Sequence, residues 1–135
     1  IGEPGRLPTA AVRYAGLMRR IRARPDASLT IKQLADEAGV SRHVLAKGFR
    51  RETGMSLKDY LQTIVLDAAL RCLATTHRAH AEIAGGLGFR DPAYFHRAFR
   101  RRFGQSPGAY RQSLNRGGYE PLPPAPGRHA LPVGH

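Results

Sequence analysis

The chain has 135 residues, with 22 lysines and arginines against 10 aspartates and glutamates, a net charge of +12. That length allows one domain or two very small ones. No run approaches the roughly 18 apolar residues of a membrane span, and the single cysteine, Cys72, makes neither an internal disulfide nor a cysteine-built zinc site. The acidic residues are too few and too scattered for a calcium or magnesium site, so neither metal nor cofactor is expected. The positive surplus points to a polyanionic partner, nucleic acid first and an anionic membrane surface second.

The chain opens on Ile1 rather than methionine, as a piece of a longer protein or a processed product would, and no charged stretch leads into an apolar signal segment. Residues 1–8 carry two glycines and two prolines, and residues 117–135 carry four glycines and five prolines; both ends are expected to be flexible. Between them the pattern is helix after helix. Thr9 caps a segment with Val12, Leu17 and Ile21, and Pro25 stops it. Thr30 caps a short helix carrying Ile31, Leu34 and Ala35, ended by Gly39. Ser41 caps the next, with Val44, Leu45 and Phe49 on one face and Gly54 as its stop. Ser56 opens a long helix in which Leu57, Tyr60, Leu61, Ile64, Leu66, Ala68, Ala69 and Leu73 recur at helical spacing. A short helix spans about 79–86. Asp91 then caps a helix with proline in its first turn, carrying Tyr94, Phe95, Phe99 and Phe103 toward a core, with Gly104 as stop. Ser106-Pro107 starts a last one through Tyr110. The expected fold is all-α with seven helices. Its organisation is a first helix-turn-helix subdomain over 9–55, a linker helix over 56–75 and a second helix-turn-helix subdomain over 76–116.

The chain repeats itself. Leu34-Ala35 and Gly39-Val40 match Ile83-Ala84 and Gly88-Phe89 at an offset of 49. After one extra residue the offset becomes 50, and Ser41, Lys47, Phe49-Arg50-Arg51, Gly54, Ser56 and Tyr60 match Asp91, Arg97, Phe99-Arg100-Arg101, Gly104, Ser106 and Tyr110. Each copy reads as a short helix, a glycine able to turn left-handed, an apolar residue closing the corner, a capping side chain and a second helix with a basic outer face. That is helix-turn-helix chemistry, in which the second helix enters the DNA major groove. The linker helix spans about 30 Å at 1.5 Å per residue, which suits two recognition helices in successive major grooves roughly 34 Å apart.

These residues resemble a known family. The run Leu34-Ala35, Gly39-Val40-Ser41-Arg42, Leu45, Phe49-Arg50-Arg51-Glu52-Thr53-Gly54, then Tyr60-Leu61, is similar to the first helix-turn-helix of the AraC/XylS transcription regulators. Ile83-Ala84, Gly88-Phe89, Tyr94-Phe95, Ala98 through Pro107 and Tyr110-Arg111 look like the family's C-terminal signature. The resemblance covers about 10–112. It departs at Val65, where arginine is usual, at Arg78 and His80, where apolar residues are usual, at Gly85-Gly86, and at Gly48, where a larger apolar residue is usual. It implies the DNA-binding piece of a cytoplasmic, nucleoid-associated bacterial regulator that binds double-stranded promoter DNA and contacts RNA polymerase. It also implies that any effector ligand binds a separate N-terminal domain.

Carried over residue by residue, the resemblance places Arg42, His43, Ala46 and Lys47 of the first recognition helix, and Ala93, His96 and Arg97 of the second, against bases. Arginine suits guanine O6 and N7, whereas the alanines reach at most a thymine methyl. Phosphates are assigned to Arg50, Arg51, Arg90, Arg100, Arg101 and Arg111. His77 and His80 stand three apart but without further metal-ligating neighbours, Ser41 reads as a cap rather than a nucleophile, and Cys72 reads as a small buried hydrophobe. No phosphate loop, nucleophile constellation or metal spacing argues for an enzyme. The competing reading is a non-specific architectural nucleic-acid binder that uses the same charge without reading sequence.

Overall fold

A computed structural model describes residues 10–115, with side chains from Tyr14 onward. Those residues form seven α-helices and no strand: α1 Ala10–Ala23, α2 Ile31–Ala38, α3 Arg42–Thr53, α4 Leu57–Thr75, α5 His80–Gly86, α6 Pro92–Phe103 and α7 Pro107–Asn115. The fold is all-α, as the periodicity predicts. The segments 1–8 and 117–135, the cap at Thr9 and the side chain of Val12 lie outside the described residues.

The helices fall into two compact units. The first holds residues up to Pro25 and Leu29–Ile64, and so contains α1, α2, α3 and the start of α4. The second holds Asp26–Ser28 and the chain from Val65, and so contains the rest of α4 with α5, α6 and α7.

In the first unit, α2 starts from a reciprocal cap. The Thr30 hydroxyl accepts from the Gln33 N–H at 3.1 Å, and the Gln33 side-chain oxygen accepts from the Thr30 N–H at 2.8 Å. Leu34 and Ala35 of α2, Leu45 and Phe49 of α3, Ile21 of α1, and Leu57 and Tyr60 of α4 are buried together; each large apolar side chain so buried contributes about 1.5–3 kcal/mol. Tyr14 joins them. Its ring meets Phe49 edge-on at 5.6 Å, and its hydroxyl crowds the space a Cβ on Gly48 would need. The small residue at position 48 is therefore matched to a large one on α1. Arg22 of α1 donates to the Tyr60 hydroxyl at 2.7 Å. Burial raises the Tyr60 phenol above its ordinary value, against the opposing pull of Arg22.

The second unit reuses the scheme with different side chains. Glu82 reaches back to the Ala79 N–H at 3.1 Å, which keeps half of the reciprocal cap where no hydroxyl is available. Phe89, Phe95, Phe99 and Phe103 form a chain of rings with centroids 5.0, 5.8 and 4.7 Å apart, and Tyr110 closes on Phe99 at 6.3 Å. Val65, the departure from the family pattern, is fully buried on α4, where an uncharged side chain fits. Cys72 is half-buried rather than buried.

Both corners close in the same way. Gly39 sits at φ 76° and the following Val40 N–H bonds the Ala35 carbonyl at 3.1 Å. Gly88 sits at φ 88° and the Phe89 N–H bonds the Ala84 carbonyl at 3.0 Å. This left-handed turn with a bond back over five residues ends a helix and redirects the chain at once. Gly88 is also covered, because Asp26–Ser28 lie against it and the Ala27 N–H bonds the Leu87 carbonyl at 2.7 Å.

Alanine at either turn glycine forces a left-handed conformation that costs about 1–2 kcal/mol. At Gly39 a Cβ meets nothing within 4 Å, so Gly39→Ala is expected to lose only that amount. At Gly88 the Cβ would run into Asp26 Oδ1 and stand 2.9 Å from the Ala27 nitrogen, so Gly88→Ala is expected to lose clearly more. Urea unfolding of the two variants checks the order; equal losses would mean that Asp26–Ser28 do not rest on the turn.

Candidate nucleic-acid interface

Each recognition helix begins at a side-chain cap. The Ser41 hydroxyl accepts from the Val44 N–H at 3.1 Å at the start of α3, and Asp91 Oδ1 accepts from the Ala93 N–H at 3.0 Å at the start of α6, where Pro92 is the first helical residue. From these caps the two helices present themselves alike. Over residues 41–50 and 91–100 the succession of buried and exposed positions is identical, with Leu45, Gly48 and Phe49 inside in one and Phe95, Ala98 and Phe99 inside in the other. The remainder is exposed: Arg42, His43, Ala46, Lys47 and Arg50 on α3, and Ala93, His96, Arg97 and Arg100 on α6. Arg51, Arg90 and Arg101 are exposed as well. Among the described residues Arg42, Lys47, Arg50, Arg97, Arg100 and Arg101 form no ion pair, and Arg51 approaches Glu52 only at 4.0 Å. Asp91, the carboxylate nearest Arg97 in sequence, is engaged in capping its own helix.

Two expectations need correction. Val44 and Tyr94, grouped by periodicity with the core, are 51% and 36% exposed. Each precedes a fully buried residue, and neighbours in a helix point about 100° apart, so Leu45 and Phe95 take the inward direction and leave Val44 and Tyr94 on the flank. Arg111, which the family pattern assigns to phosphate, has partners within the fold. Its guanidinium is turned to main-chain carbonyls at the end of α4 and beyond, those of Leu73 at 3.3 Å, Thr76 at 3.0 Å and Arg78. These carbonyls have no partner within a helix, and Arg111 ties the middle of α7 to them.

The arginine run of α6 divides in the same spirit. Arg100 and Arg101 face out, while Arg102 turns in, bonds Asp67 Oδ1 of α4 at 3.1 Å and lies over the Phe103 ring at 5.2 Å. Burial raises the Asp67 carboxyl from its ordinary value, against the opposing pull of Arg102. Arg20 of α1 makes a two-pronged pair with Glu37 of α2 at 2.8 and 2.7 Å. These structural arginines escape a sequence reading because their partners lie 17 to 38 residues away. The one local signal was that a run of three arginines spans more of the helix surface than one exposed face holds.

His80 is half-buried beside Gly108 of α7, with its ring 6.2 Å from that of His96, and His77 is exposed. Burial lowers the His80 pKa first, and the positive Arg111 and His96 lower it further. Among the described residues no three histidines, cysteines or carboxylates gather as a metal site, and no described helix is long and apolar enough to cross a membrane.

Two helix-turn-helix units with equivalent basic outer helices define a class of protein, and comparison with known proteins places the chain within it. A family model described as a helix-turn-helix domain matches residues 34–113. The transcriptional activator NphR of a Rhodococcus species is 40% identical over 87 residues, which cover 64% of this chain and 26% of that protein. The transcriptional activator RhaR of Klebsiella pneumoniae is 34% identical over 107 residues, 76% of this chain and 38% of that protein. Among solved structures, the DNA-binding domain of AdpA, a global transcriptional factor in complex with a target DNA, aligns with a TM-score of 0.71 at 31% identity over 76% of this chain and 92% of that one. The chain belongs to this family, the AraC/XylS class of helix-turn-helix transcription regulators. It spans well under half the length of the curated relatives described above.

Arg111→Ala leaves carbonyls without a donor and is expected to lower stability by about 1–3 kcal/mol in urea unfolding, while the salt dependence of duplex binding keeps its wild-type slope. His80 yields a pH dependence. In the unfolded chain it titrates near 6.5 and in the folded chain lower, so the unfolded state binds its proton more tightly. Its contribution to stability is therefore complete above that value and is lost as pH falls through it toward the folded pKa. Thermal unfolding between about pH 5 and 8 should show this loss, and the His80→Gln variant should show less of it.

Proposed function

We propose that the chain reads promoter DNA with two recognition helices, α3 and α6, laid in successive major grooves of one duplex. The observation that carries this reading is the matched exposure of the two helices, which leaves equivalent basic residues unpaired on the outer face of each. Base contacts come from Arg42, His43, Ala46 and Lys47 on α3 and from Ala93, His96 and Arg97 on α6. Arg97 is the strongest reader, since its guanidinium donates twice to a guanine, and Lys47 is its less specific counterpart. Arg50, Arg51, Arg90, Arg100 and Arg101 neutralise phosphates; Arg111 is left out because its guanidinium is already engaged. The N–H groups that open α3 suit a phosphate, whereas Pro92 has none to offer and the Asp91 carboxylate repels one.

The relatives are named as transcriptional activators, which supports a regulatory rather than enzymatic role. In this reading the full-length regulator works in the cytoplasm on nucleoid DNA, contacts RNA polymerase, and receives its effector signal through a different domain.

Selection of bound sites from a random duplex pool tests the proposal, with recovery of two short boxes about one helical turn apart expected. Arg97→Ala should cost about 1–3 kcal/mol and abolish preference at one base pair, while five neutralised phosphates give a log–log salt slope of about −4.5. Equal loss on every sequence would remove the reading role of Arg97, and a pool that returns no preferred site would leave an architectural binder.

A further inference from the structure

The two corner glycines differ in one respect. Gly39 turns in the open, and a Cβ there would meet nothing within 4 Å. Gly88 makes the same left-handed turn under cover, and a Cβ there would run into Asp26 and come within 3.0 Å of the Ala27 and Ser28 nitrogens. The first unit shows that a corner of this kind closes without any cover.

The covering loop is ordered by its own residues. Asp26 Oδ1 accepts from the Ser28 N–H at 2.9 Å and from the Ser28 hydroxyl at 2.6 Å, a turn made by an aspartate on its own backbone. The Ala27 N–H donates to the Leu87 carbonyl at 2.7 Å. Glycine at position 88 is what allows so close an approach.

The loop also has an unusual place in the chain. Asp26–Ser28 belong to the second unit, while the residues up to Pro25 and from Leu29 belong to the first. The chain therefore passes between the units within α4, between Ile64 and Val65, and again on each side of this loop. Units joined through one element are expected to move relative to each other, and a second connection removes freedom that the first leaves. Two linked binding modules reinforce each other only where their connection lets both engage, and a stiff connection confines that gain to one separation.

Resting on the two-helix reading of DNA above, we infer that Asp26, Ala27 and Gly88 are positioning residues that set which separation of the two DNA boxes the chain accepts. They touch no base and act by holding the second connection closed.

The test uses the 135-residue chain and a duplex recovered by selection, with one base pair inserted or removed between its boxes. Each change rotates one box about 35° around the duplex relative to the other. The unaltered chain is expected to lose affinity about tenfold. Asp26→Ala removes the turn and Ala27→Pro removes the donor. Both should bind the altered duplexes within about threefold of the parent and keep wild-type affinity for a duplex with a single box. Hydrogen exchange reads the contact in the unaltered chain, whether or not the variants fold: the Ala27 amide should exchange about tenfold more slowly than a free loop amide.

The positioning role is overturned if the unaltered chain tolerates both spacings, if the Ala27 amide exchanges freely, or if the variants keep the full spacing penalty and lose single-box affinity, as a purely structural loop would. A chain that prefers no duplex over random DNA instead overturns the sequence-reading function, a distinguishable result.

Discussion

Each unit depends on one backbone hydrogen bond, from the N–H after a left-handed glycine to the carbonyl five residues before it: Val40 to Ala35 in the first and Phe89 to Ala84 in the second. The bond fixes where the first helix stops and in which direction the chain leaves. That direction turns Phe89 into the core and half-buries Val40, and it sets the capping residue, Ser41 or Asp91, at the head of the next helix. The cap and the buried face together fix the rotation of α3 or α6, and the rotation decides which side chains are exposed. The outer surface of each recognition helix thus follows from a turn that no DNA-facing residue takes part in.

The two units meet this constraint with different chemistry. A hydroxyl caps one recognition helix and a carboxylate the other. The first short helix uses a full reciprocal cap between Thr30 and Gln33, while the second keeps only the glutamate half. In the first core Tyr14 of α1 presses onto Gly48 of α3; at the matching position of the second, Ala98 is buried beneath a chain of phenylalanines. What is duplicated is the path of the backbone and the alternation of inside and outside. Packing density is recovered by pairing large with small residues locally.

Charge is divided between two tasks. Arg22, Arg102 and Arg111 are held by the Tyr60 hydroxyl, the Asp67 carboxylate and main-chain carbonyls, and they tie α1, α6 and α7 to α4 and its end. Arg42, Lys47 and Arg50 on α3 and Arg97, Arg100 and Arg101 on α6 form no ion pair among the described residues. A net charge of +12 is therefore partly structural, and the share available to a polyanion is concentrated on the two helices that carry the repeat.

Elements set over a few residues are legible in the order of amino acids: the seven helices of the described residues, the caps at Thr30, Ser41 and Asp91, the glycine corners, and the repeat that points to two helix-turn-helix units. Those features arise from hydrogen bonds between near neighbours and from helical periodicity, and both are written in local spacing. Long-range packing, by contrast, turns Val44 and Tyr94 outward, draws Arg102 and Arg111 to α4 and its end, and sets Tyr14 in the space over Gly48. An amphipathic side chain takes its direction from whichever buried partner or unsatisfied carbonyl lies within reach, and those partners are brought near only when distant segments pack.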